Sequence, residues 1–233
     1  MIGSGDDLTR YKLVIAPVLY MMKPGVAERL EAYVKSGGIF VTTFFSGIVD
    51  ENDRVKLGGY PGELRKLLGI WVEEIDSLLP EMKNRMVLQG GFGQVQGEYE
   101  CGLLCDLLHL EGARALAVYG DDFYAGMPAL TVNEFGAGQA YYVAADAEDR
   151  LIADLCRTLC AQSGVAAPFT AEAGIELVQR KKDGAVFTFV LNHNAFAASI
   201  DLGTLAAADL LTGSLVTGTA SVAGYGVMIL RHE

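Results

Sequence analysis

The sequence predicts an α/β domain with a parallel sheet, followed by a small antiparallel β-sandwich domain. Residues 11–45 carry a buried strand, a helix and a second buried strand joined by short links, the order of a right-handed crossover in a parallel sheet. Beyond residue 170 the pattern changes to short strands separated by turn residues, which is typical of small all-β domains. The change between the two patterns falls at about residues 165–170.

The first crossover is the best-defined part of the predicted sheet. The run "YKLVIAPVLYM" is predominantly apolar and of strand length, as expected for a strand buried on both faces. Pro24 begins the following helix, and Gly37 and Gly38 end it, in keeping with the preference for proline at helix starts and glycine beyond helix ends. "IFVTTFF" then forms the second buried strand.

The rest of the first domain mixes helices with β segments. "PGELRKLLG" is again begun by proline and ended by glycine, and "AEDRLIADLCRTLCAQSG" is an amphipathic helix with acids in its first turn. "IWVEEIDSLLPE" alternates apolar and polar residues, while residues 84–100 fit either a hairpin or a flexible loop. Gly136 and Gly138 lie between two apolar stretches and predict a hairpin.

A linker is predicted at residues 165–170, which are small, contain one proline and lack periodicity. Short strands are predicted beyond it in "IELVQRKK", "AVFTFVLNH", "ASIDL", "AADLLTG" and "YGVMILRH". A domain of about 65 residues is near the lower size limit for independent stability.

Composition argues against several classes of function. The 233 residues are 51% hydrophobic, enough for a sizeable core, and carry a net charge of -11, which repels nucleic acid and anionic membranes. The sequence holds no apolar run of 18 residues, and its first residues lack the basic start and apolar core of a signal peptide. We therefore expect a cytoplasmic protein without nucleic-acid or membrane partners.

The four cysteines form two pairs spaced i,i+4, Cys101 with Cys105 and Cys156 with Cys160. On a helix each pair lies on one face, and His109 continues the first series. A zinc site would need the pairs to converge, and the short C-x-x-C loops typical of such sites are absent from the sequence. We predict reduced, buried thiols and no metal. A Cys101–His109 catalytic pair is disfavoured, because the following segment "EGARALAVYG" indicates that both residues belong to core elements.

Sequence patterns for covalent catalysis and phosphate binding are missing. Neither G-x-S-x-G nor G-x-C-x-G occurs, and no G-x-G-x-x-G or G-K-[ST] loop is present, so no cofactor is predicted.

Paired carboxylates could serve as a general acid and base, but the acids at 121–122 and 146–149 fit turn and helix-start positions. Only the acids at 50–53 follow a parallel strand at its carboxyl end, where α/β proteins bind ligands.

Several stretches resemble one known family. "TTFFSGIVDENDRVKLGGYPG" is the most specific of them, and "DDFYAGMPALTVNEFGAGQAYYVAA", "FVLNH" and "DLLTG" follow in the same order. Together they closely resemble the non-catalytic part of the glycoside hydrolase family 42 β-galactosidases. The resemblance implies that residues 1–166 are a trimerisation domain with a glutamine-amidotransferase-like, flavodoxin-like fold. It also implies that residues 167–233 are the C-terminal β domain.

The resemblance has consequences for activity and assembly. In the family a (β/α)8 barrel carries two catalytic glutamates, and such a barrel needs about 250 residues of its own. No position here matches those glutamates, so we assign no catalytic residue and expect the isolated chain to be inactive. The resemblance implies self-association, with a trimer favoured over a dimer, and a catalytic barrel in the parent enzyme as a further partner. Family members also have a strand and helix before the segment matching "YKLVIAP", so that segment is expected to lie uncovered or at a sheet edge.

The loop after "IFVTTFF" is therefore interpreted as a docking loop. Its proposed contact residues are Thr42, Ser46, Asp50, Glu51, Asn52, Asp53, Arg54 and Tyr60. The alternative hypothesis is a stand-alone α/β carbohydrate-binding module or small hydrolase that uses the Asp50–Asp53 loop. In that alternative Tyr60 and Trp71 would stack on a sugar, although a single Trp inside "LLGIWVEEI" is more often a core residue.

Overall fold

The computed structural model describes residue 3 and residues 5–232, and the chain divides into two compact units after Val165. The first unit is built on a nine-stranded mixed sheet and the second on a six-stranded antiparallel sheet. This arrangement confirms the predicted fold class of an α/β domain followed by a small antiparallel β domain.

The first unit contains two short 3-10 helices, three α-helices and eleven strands in its described part. The 3-10 helices span Leu8–Arg10 and Gly62–Leu64, and the α-helices are α1 (Val26–Lys35), α2 (Arg65–Leu68) and α3 (Asp149–Gln162). The strands are β1 (Leu13–Ala16), β2 (Met21–Met22), β3 (Ile39–Thr43), β4 (Val49–Asp50), β5 (Ile70–Ser77), β6 (Asn84–Leu88), β7 (Glu98–Leu110), β8 (Arg114–Tyr119), β9 (Pro128–Phe135), β10 (Gly138–Val143) and β11 (Ala145–Ala147).

The parallel part of the sheet consists of β1, β3 and β10. β1 pairs with β3 and β3 with β10 in parallel register, so the predicted strand–helix–strand crossover is confirmed. Beyond β10 the order continues β9-β8-β6-β7-β11, with β5 on β7, and all of these ladders are antiparallel. Among the described strands β1 pairs only with β3, and its Ile15 side chain is 44% exposed. The first apolar segment therefore lies at a sheet edge.

The predicted first strand is shorter than its apolar run. β1 ends at Ala16, because Pro17 has no N–H to continue a ladder and Val18 adopts a left-handed conformation with φ of 47°. The chain resumes as β2, which pairs in parallel with β4 in a separate two-stranded sheet. This second small sheet places the start of the docking loop beside the segment that follows β1.

Helix α1 buries one apolar face. Val26, Leu30 and Val34 recur at helical spacing and are all buried, and each buried side chain of this size stabilises the fold by about 1.5–3 kcal/mol. The amphipathic helix α3 likewise buries Leu151, Leu155 and Leu159. None of the helices in the described part of the chain is long and apolar enough to cross a membrane.

The two cysteine pairs lie on different kinds of element: Cys101 and Cys105 on strand β7, Cys156 and Cys160 on helix α3. Because Cys156 and Cys160 are only half-buried, the prediction of buried thiols is confirmed for the first pair alone. β7 pairs with β5, β6 and β11, and Cys101 and Cys105 are buried on it. His109 lies on the same strand of the central sheet, as expected for a residue of a core element, but its side chain is exposed and contacts Glu73 Oε2 through Nε2 at 2.6 Å. The uncertain segment at residues 84–100 is the β6–β7 hairpin.

Metal-ligand groups are absent from the described residues: they hold no set of three or more His, Cys, Asp or Glu side chains able to hold an ion. That search covers residue 3 and residues 5–232. The expectation of no metal and no cofactor stays a prediction.

The second unit is entirely antiparallel. Its strands are β12 (Thr170–Ala171), β13 (Ile175–Lys182), β14 (Ala185–Asn192), β15 (Ala198–Asp209), β16 (Leu215–Val222) and β17 (Val227–His232), in the order β12-β15-β17-β14-β13 with β16 on β15. "ASIDL" and the first three residues of "AADLLTG", predicted as two strands, form the single strand β15, and residues 210–213 form the turn that follows it. The pairing of β15 with β16 has a register shift between Asp201 and Ala206. Val190, Ile200 and Leu230 form the centre of this unit's core.

Candidate functional site

The docking loop begins with hydroxyl groups that are buried. Thr42 Oγ1 donates a hydrogen bond to the Ala16 carbonyl at 2.7 Å. Ser46 Oγ accepts from the Leu19 amide at 2.9 Å and donates to the Thr43 carbonyl at 2.7 Å. These bonds fasten the ends of β1 and β3 to each other. Thr42 and Ser46 therefore hold the base of the loop and do not face a ligand, because neither is exposed.

Asp50 organises the acidic turn of the loop. Its carboxylate accepts hydrogen bonds from the amides of Asn52 at 2.8 Å and Arg54 at 3.0 Å, and from Arg54 Nε at 3.2 Å. The Arg54 amide is the main reason that the pKa of Asp50 lies below its ordinary value. An ionised carboxylate with three donors is a structural acceptor, which does not fit the role of a general acid.

The tip of the loop consists of Glu51, Asn52, Asp53 and Arg54, all exposed. Asp53 adopts a left-handed conformation with φ of 60°, and its carboxylate accepts a hydrogen bond from the Tyr20 hydroxyl at 3.1 Å. The Tyr20 hydroxyl therefore fixes the Asp53 side chain, and the charged side chains of the tip are exposed on an ordered turn.

Phe45, in the turn after β3, contacts the tip indirectly through the Tyr20 ring. Phe45 has φ of 58°, an uncommon conformation for a bulky residue, and its ring stacks on Tyr20 with centroids 5.3 Å apart. The stack joins the turn after β3 to the Tyr20–Asp53 hydrogen bond. Left-handed conformations of this kind persist where the surrounding structure fixes them.

The end of the loop is closed by a backbone contact. Gly47 has φ of 69°, and a Cβ atom at this position would lie 2.1 Å from the Pro61 carbonyl oxygen. Tyr60 is half-buried, and its carbonyl accepts a hydrogen bond from the Val72 amide at 2.8 Å. Of the eight predicted docking residues, the structure therefore brings the four at the tip together on the surface. Thr42, Ser46, Asp50 and Tyr60 serve mainly as supports.

Trp71 is half-buried at the start of β5. The His109 ring stacks on it with centroids 4.9 Å apart, and the Arg65 guanidinium carbon lies 5.7 Å from the ring centroid. Gly59 approaches so closely that a Cβ there would be 2.5 Å from Trp71 Nε1. Because the indole is already in contact with these groups, the arrangement does not favour a sugar-stacking platform.

Asp106 is a buried acid that sequence reasoning missed. The Tyr142 hydroxyl donates to its Oδ2 at 2.5 Å and the Phe45 amide at 3.3 Å, whereas Oδ1 has no hydrogen-bond partner among the described residues. Burial raises the pKa of Asp106 to about 6, against which the Tyr142 and Phe45 bonds act. The sequence signal was a single acid inside the apolar run "CGLLCDLLHL".

Through the Phe45 amide, Asp106 supports the backbone turn beneath the docking loop. Its partners are a phenol and a backbone amide. The geometry thus gives a rigid surface loop over a buried polar support. Glycoside hydrolysis requires two facing carboxylates. Among the described residues, the hydrogen-bond partners of Asp106 do not include a second carboxylate.

Family comparison decides the membership of the chain. Residues 1–166 match the family model described as the beta-galactosidase trimerisation domain. The chain belongs to the glycoside hydrolase family 42 β-galactosidases. Residues 174–232 match a second model of these enzymes, the beta-galactosidase C-terminal domain. The sequence resemblance is confirmed, and the matched parts are the non-catalytic portion of family 42 β-galactosidases.

Individual relatives show the same correspondence. β-Galactosidase BgaP from Planococcus sp. (strain L4) is 51% identical over 230 residues, which are 99% of this chain and 34% of BgaP. The crystal structure of β-galactosidase from Bacillus circulans sp. alkalophilus matches with a TM-score of 0.96 and 51% identity, covering 100% of this chain and 34% of that one. The cold-adapted β-galactosidase from Rahnella sp. R3 matches at 0.90 and 40% identity, covering 99% and 34%. The chain thus spans about a third of the length of these family 42 relatives.

Proposed function

We propose that this chain is the assembly portion of a β-galactosidase acting on β-D-galactosides, and that its work is to associate with copies of itself and with a catalytic barrel. The observation that carries the proposal is the match of the whole chain, at a TM-score of 0.96, to about a third of a solved β-galactosidase. In this proposal residues 1–166 form the trimerisation domain and residues 167–233 the C-terminal β domain. Four free cysteines support a reducing, cytoplasmic location.

The acidic turn is the proposed contact with the catalytic barrel. Glu51, Asn52, Asp53 and Arg54 lie exposed beyond the carboxyl end of β3. Asp50 holds their backbone through the Arg54 amide, and Tyr20 holds the Asp53 side chain. A surface that is already ordered loses little conformational entropy on binding. The buried Thr42 and Ser46 and the half-buried Tyr60 serve the same contact indirectly, because they fix the two ends of the loop.

Self-association is the first test of the proposal. Size exclusion coupled to light scattering is expected to give a mass that is a multiple of 24.9 kDa, with a trimer favoured over a dimer. A dimer would instead point to pairing through the open edge of β1, since unpaired strand edges favour pairing with another chain. Ile15→Lys, with circular dichroism as a check on folding, separates these two arrangements. A monodisperse 24.9 kDa species at tens of micromolar protein would contradict self-association.

Absence of hydrolytic activity is the second test. The purified chain is expected to leave an aryl β-galactoside unhydrolysed, because its best-positioned carboxylate, Asp50, is committed to three hydrogen bonds within the loop. A full-length family 42 enzyme assayed in parallel provides the positive control. Turnover above a buffer blank that disappears in Asp50→Asn would overturn the prediction.

A further inference from the structure

Strand β7 carries two thiols that its irregular backbone brings together. Cys101 is 2% exposed and Cys105 is 0% exposed. In a regular strand the Cα atoms of residues four apart are about 13 Å from each other, which is too far for contact between the two sulfur atoms. β7 is not regular between the cysteines, because Leu103 adopts a left-handed conformation with φ of 52°. The true separation of the cysteines therefore has to be read from the strand that pairs with them.

The pairing of β7 with β11 gives this separation. Cys105 lies opposite Ala145 and Cys101 lies opposite Ala147, so four steps along β7 match only two steps along β11. Two strand steps cover about 6.6 Å, which is at the upper end of the Cα–Cα range of about 4.4–6.8 Å in disulfide bonds. Side chains two residues apart on a strand point to the same face, as do side chains directly opposite each other. The two cysteines therefore share one face of the sheet at a separation that a disulfide can bridge.

The two thiols interact with each other. Their hydrogen bond, followed by burial, raises the pKa of Cys101. The same hydrogen bond lowers the pKa of Cys105, to which the hydroxyls of Tyr124 and Tyr119 also contribute. Because the thiolate is the reactive form of cysteine, Cys105 is the thiol suited to react first. Cys101 keeps its proton beside it.

Access to the two thiols depends on the edge of the sheet. β11 spans only Ala145–Ala147 and ends the strand order, and Leu103, which lies between the cysteines, is 57% exposed. A short edge strand opens locally at a lower free energy than the centre of a sheet. Opening of β11 removes a neighbour of both cysteines, so a molecule close to water in size can reach them without global unfolding.

We propose that Cys101 and Cys105 are an oxidation-sensitive thiol pair that hydrogen peroxide converts into an intrastrand disulfide. The Cys105 thiolate attacks one peroxide oxygen, so that an S–O bond forms, the O–O bond breaks and the departing hydroxide takes up a proton to become water. Cys101 Sγ then attacks Cys105 Sγ, the S–S bond forms, the S–O bond breaks, and the hydroxyl leaves as water with the Cys101 proton. The two thiols lose two electrons in total, and the peroxide gains them. This modification is independent of the proposed assembly function.

Cys156 and Cys160 provide a matched control within the same chain. They are more exposed than the first pair, but they lie four residues apart on helix α3, where Cβ atoms are about 5–6 Å from each other. A disulfide needs Cβ atoms about 3.5–4.5 Å apart, so the helix has to distort before this bond can form. Exposure favours reaction at Cys156 and Cys160, whereas geometry favours a disulfide at Cys101 and Cys105.

Peptide mass spectrometry distinguishes the two pairs. Trypsin leaves Cys101 and Cys105 together in residues 86–114, whereas Cys156 and Cys160 fall in residues 151–157 and 158–180. The folded chain is treated with hydrogen peroxide, and its remaining thiols are blocked with N-ethylmaleimide in denaturant before digestion. We expect the peptide of residues 86–114 to be unblocked and about 2 Da lighter than its reduced form, and dithiothreitol to restore it. We expect no link between residues 151–157 and 158–180.

Cys101→Ala tests the role of the second thiol. In this variant the oxidised Cys105 has no thiol to attack it, so we expect peroxide to carry Cys105 to the sulfinic acid, a gain of about 32 Da that dithiothreitol does not reverse. The unaltered chain decides the proposal even if the variant does not fold. Blocking of both thiols in residues 86–114 after peroxide treatment would contradict the proposal. So would a sulfinic acid at Cys105 in the unaltered chain, or a Cys156–Cys160 link formed in place of the Cys101–Cys105 disulfide.

Discussion

Replacing Asp106 by Asn is expected to change the pH dependence of stability by about 2 kcal/mol between pH 4 and pH 8. Burial raises the pKa of Asp106 from 3.8 to about 6, so the folded chain holds this proton more tightly than the unfolded chain does. The stabilisation is fully present below about pH 4 and is lost as the pH rises through about 6. The amide introduced by Asp106→Asn cannot ionise, so the variant has no such loss of stability.

Urea unfolding followed at several pH values tests this expectation. The difference in unfolding free energy between Asp106→Asn and the unaltered chain should move in favour of the variant as the pH rises. Any constant offset, such as a buried amide nitrogen without an acceptor, does not affect that change. Tyr142→Phe should act in the opposite direction, because it removes the hydroxyl that favours the charged carboxylate. Parallel pH profiles for all three proteins would show that Asp106 is not buried as described.

Gly47→Ala is expected to destabilise the first unit by about 3 kcal/mol. A left-handed conformation costs a residue with a Cβ about 1–2 kcal/mol. The new Cβ would also meet the Pro61 carbonyl oxygen at 2.1 Å, and relieving such overpacking costs about 1–3 kcal/mol. Gly58→Ala is the matched control, because Gly58 also has a positive φ of 103° but no atom lies within 4 Å of its Cβ position. The control substitution should cost only about 1 kcal/mol.

Trp71 fluorescence gives a suitable probe for this comparison. The only tryptophan of the chain lies against Gly59, so its emission follows unfolding of the first unit alone. Equal losses for Gly47→Ala and Gly58→Ala would show that the loop does not close on Pro61.

The docking loop shows how far residue types alone can predict a site. The acids at 50–53 drew attention because of their position after a buried strand, and the structure places the loop there at the carboxyl end of β3. Asp50, however, holds the turn through the Asn52 and Arg54 amides. A sequence lists an acid without showing which backbone amides point at it.

Local pattern determined most of the elements of this protein. The apolar runs, proline starts and glycine stops located β1, α1, β3 and α3, and the Gly136–Gly138 turn located the hairpin of β9 and β10. Each of these signals comes from a few neighbouring residues, because it reflects either a backbone preference or an apolar face that runs along one helix or strand. The family resemblance, confirmed by two matching domain models, likewise depended only on the order of residues.

Only the tertiary structure decided how those elements combine. Cys101 and Cys105 are four residues apart, a spacing that places two side chains on one face of a helix and also on one face of a strand, so local pattern could not distinguish the two. Pairing of β7 with β5, β6 and β11 made the segment a strand. The raised pKa of Asp106 depends in the same way on residues distant in sequence, because burial is a property of the assembled fold.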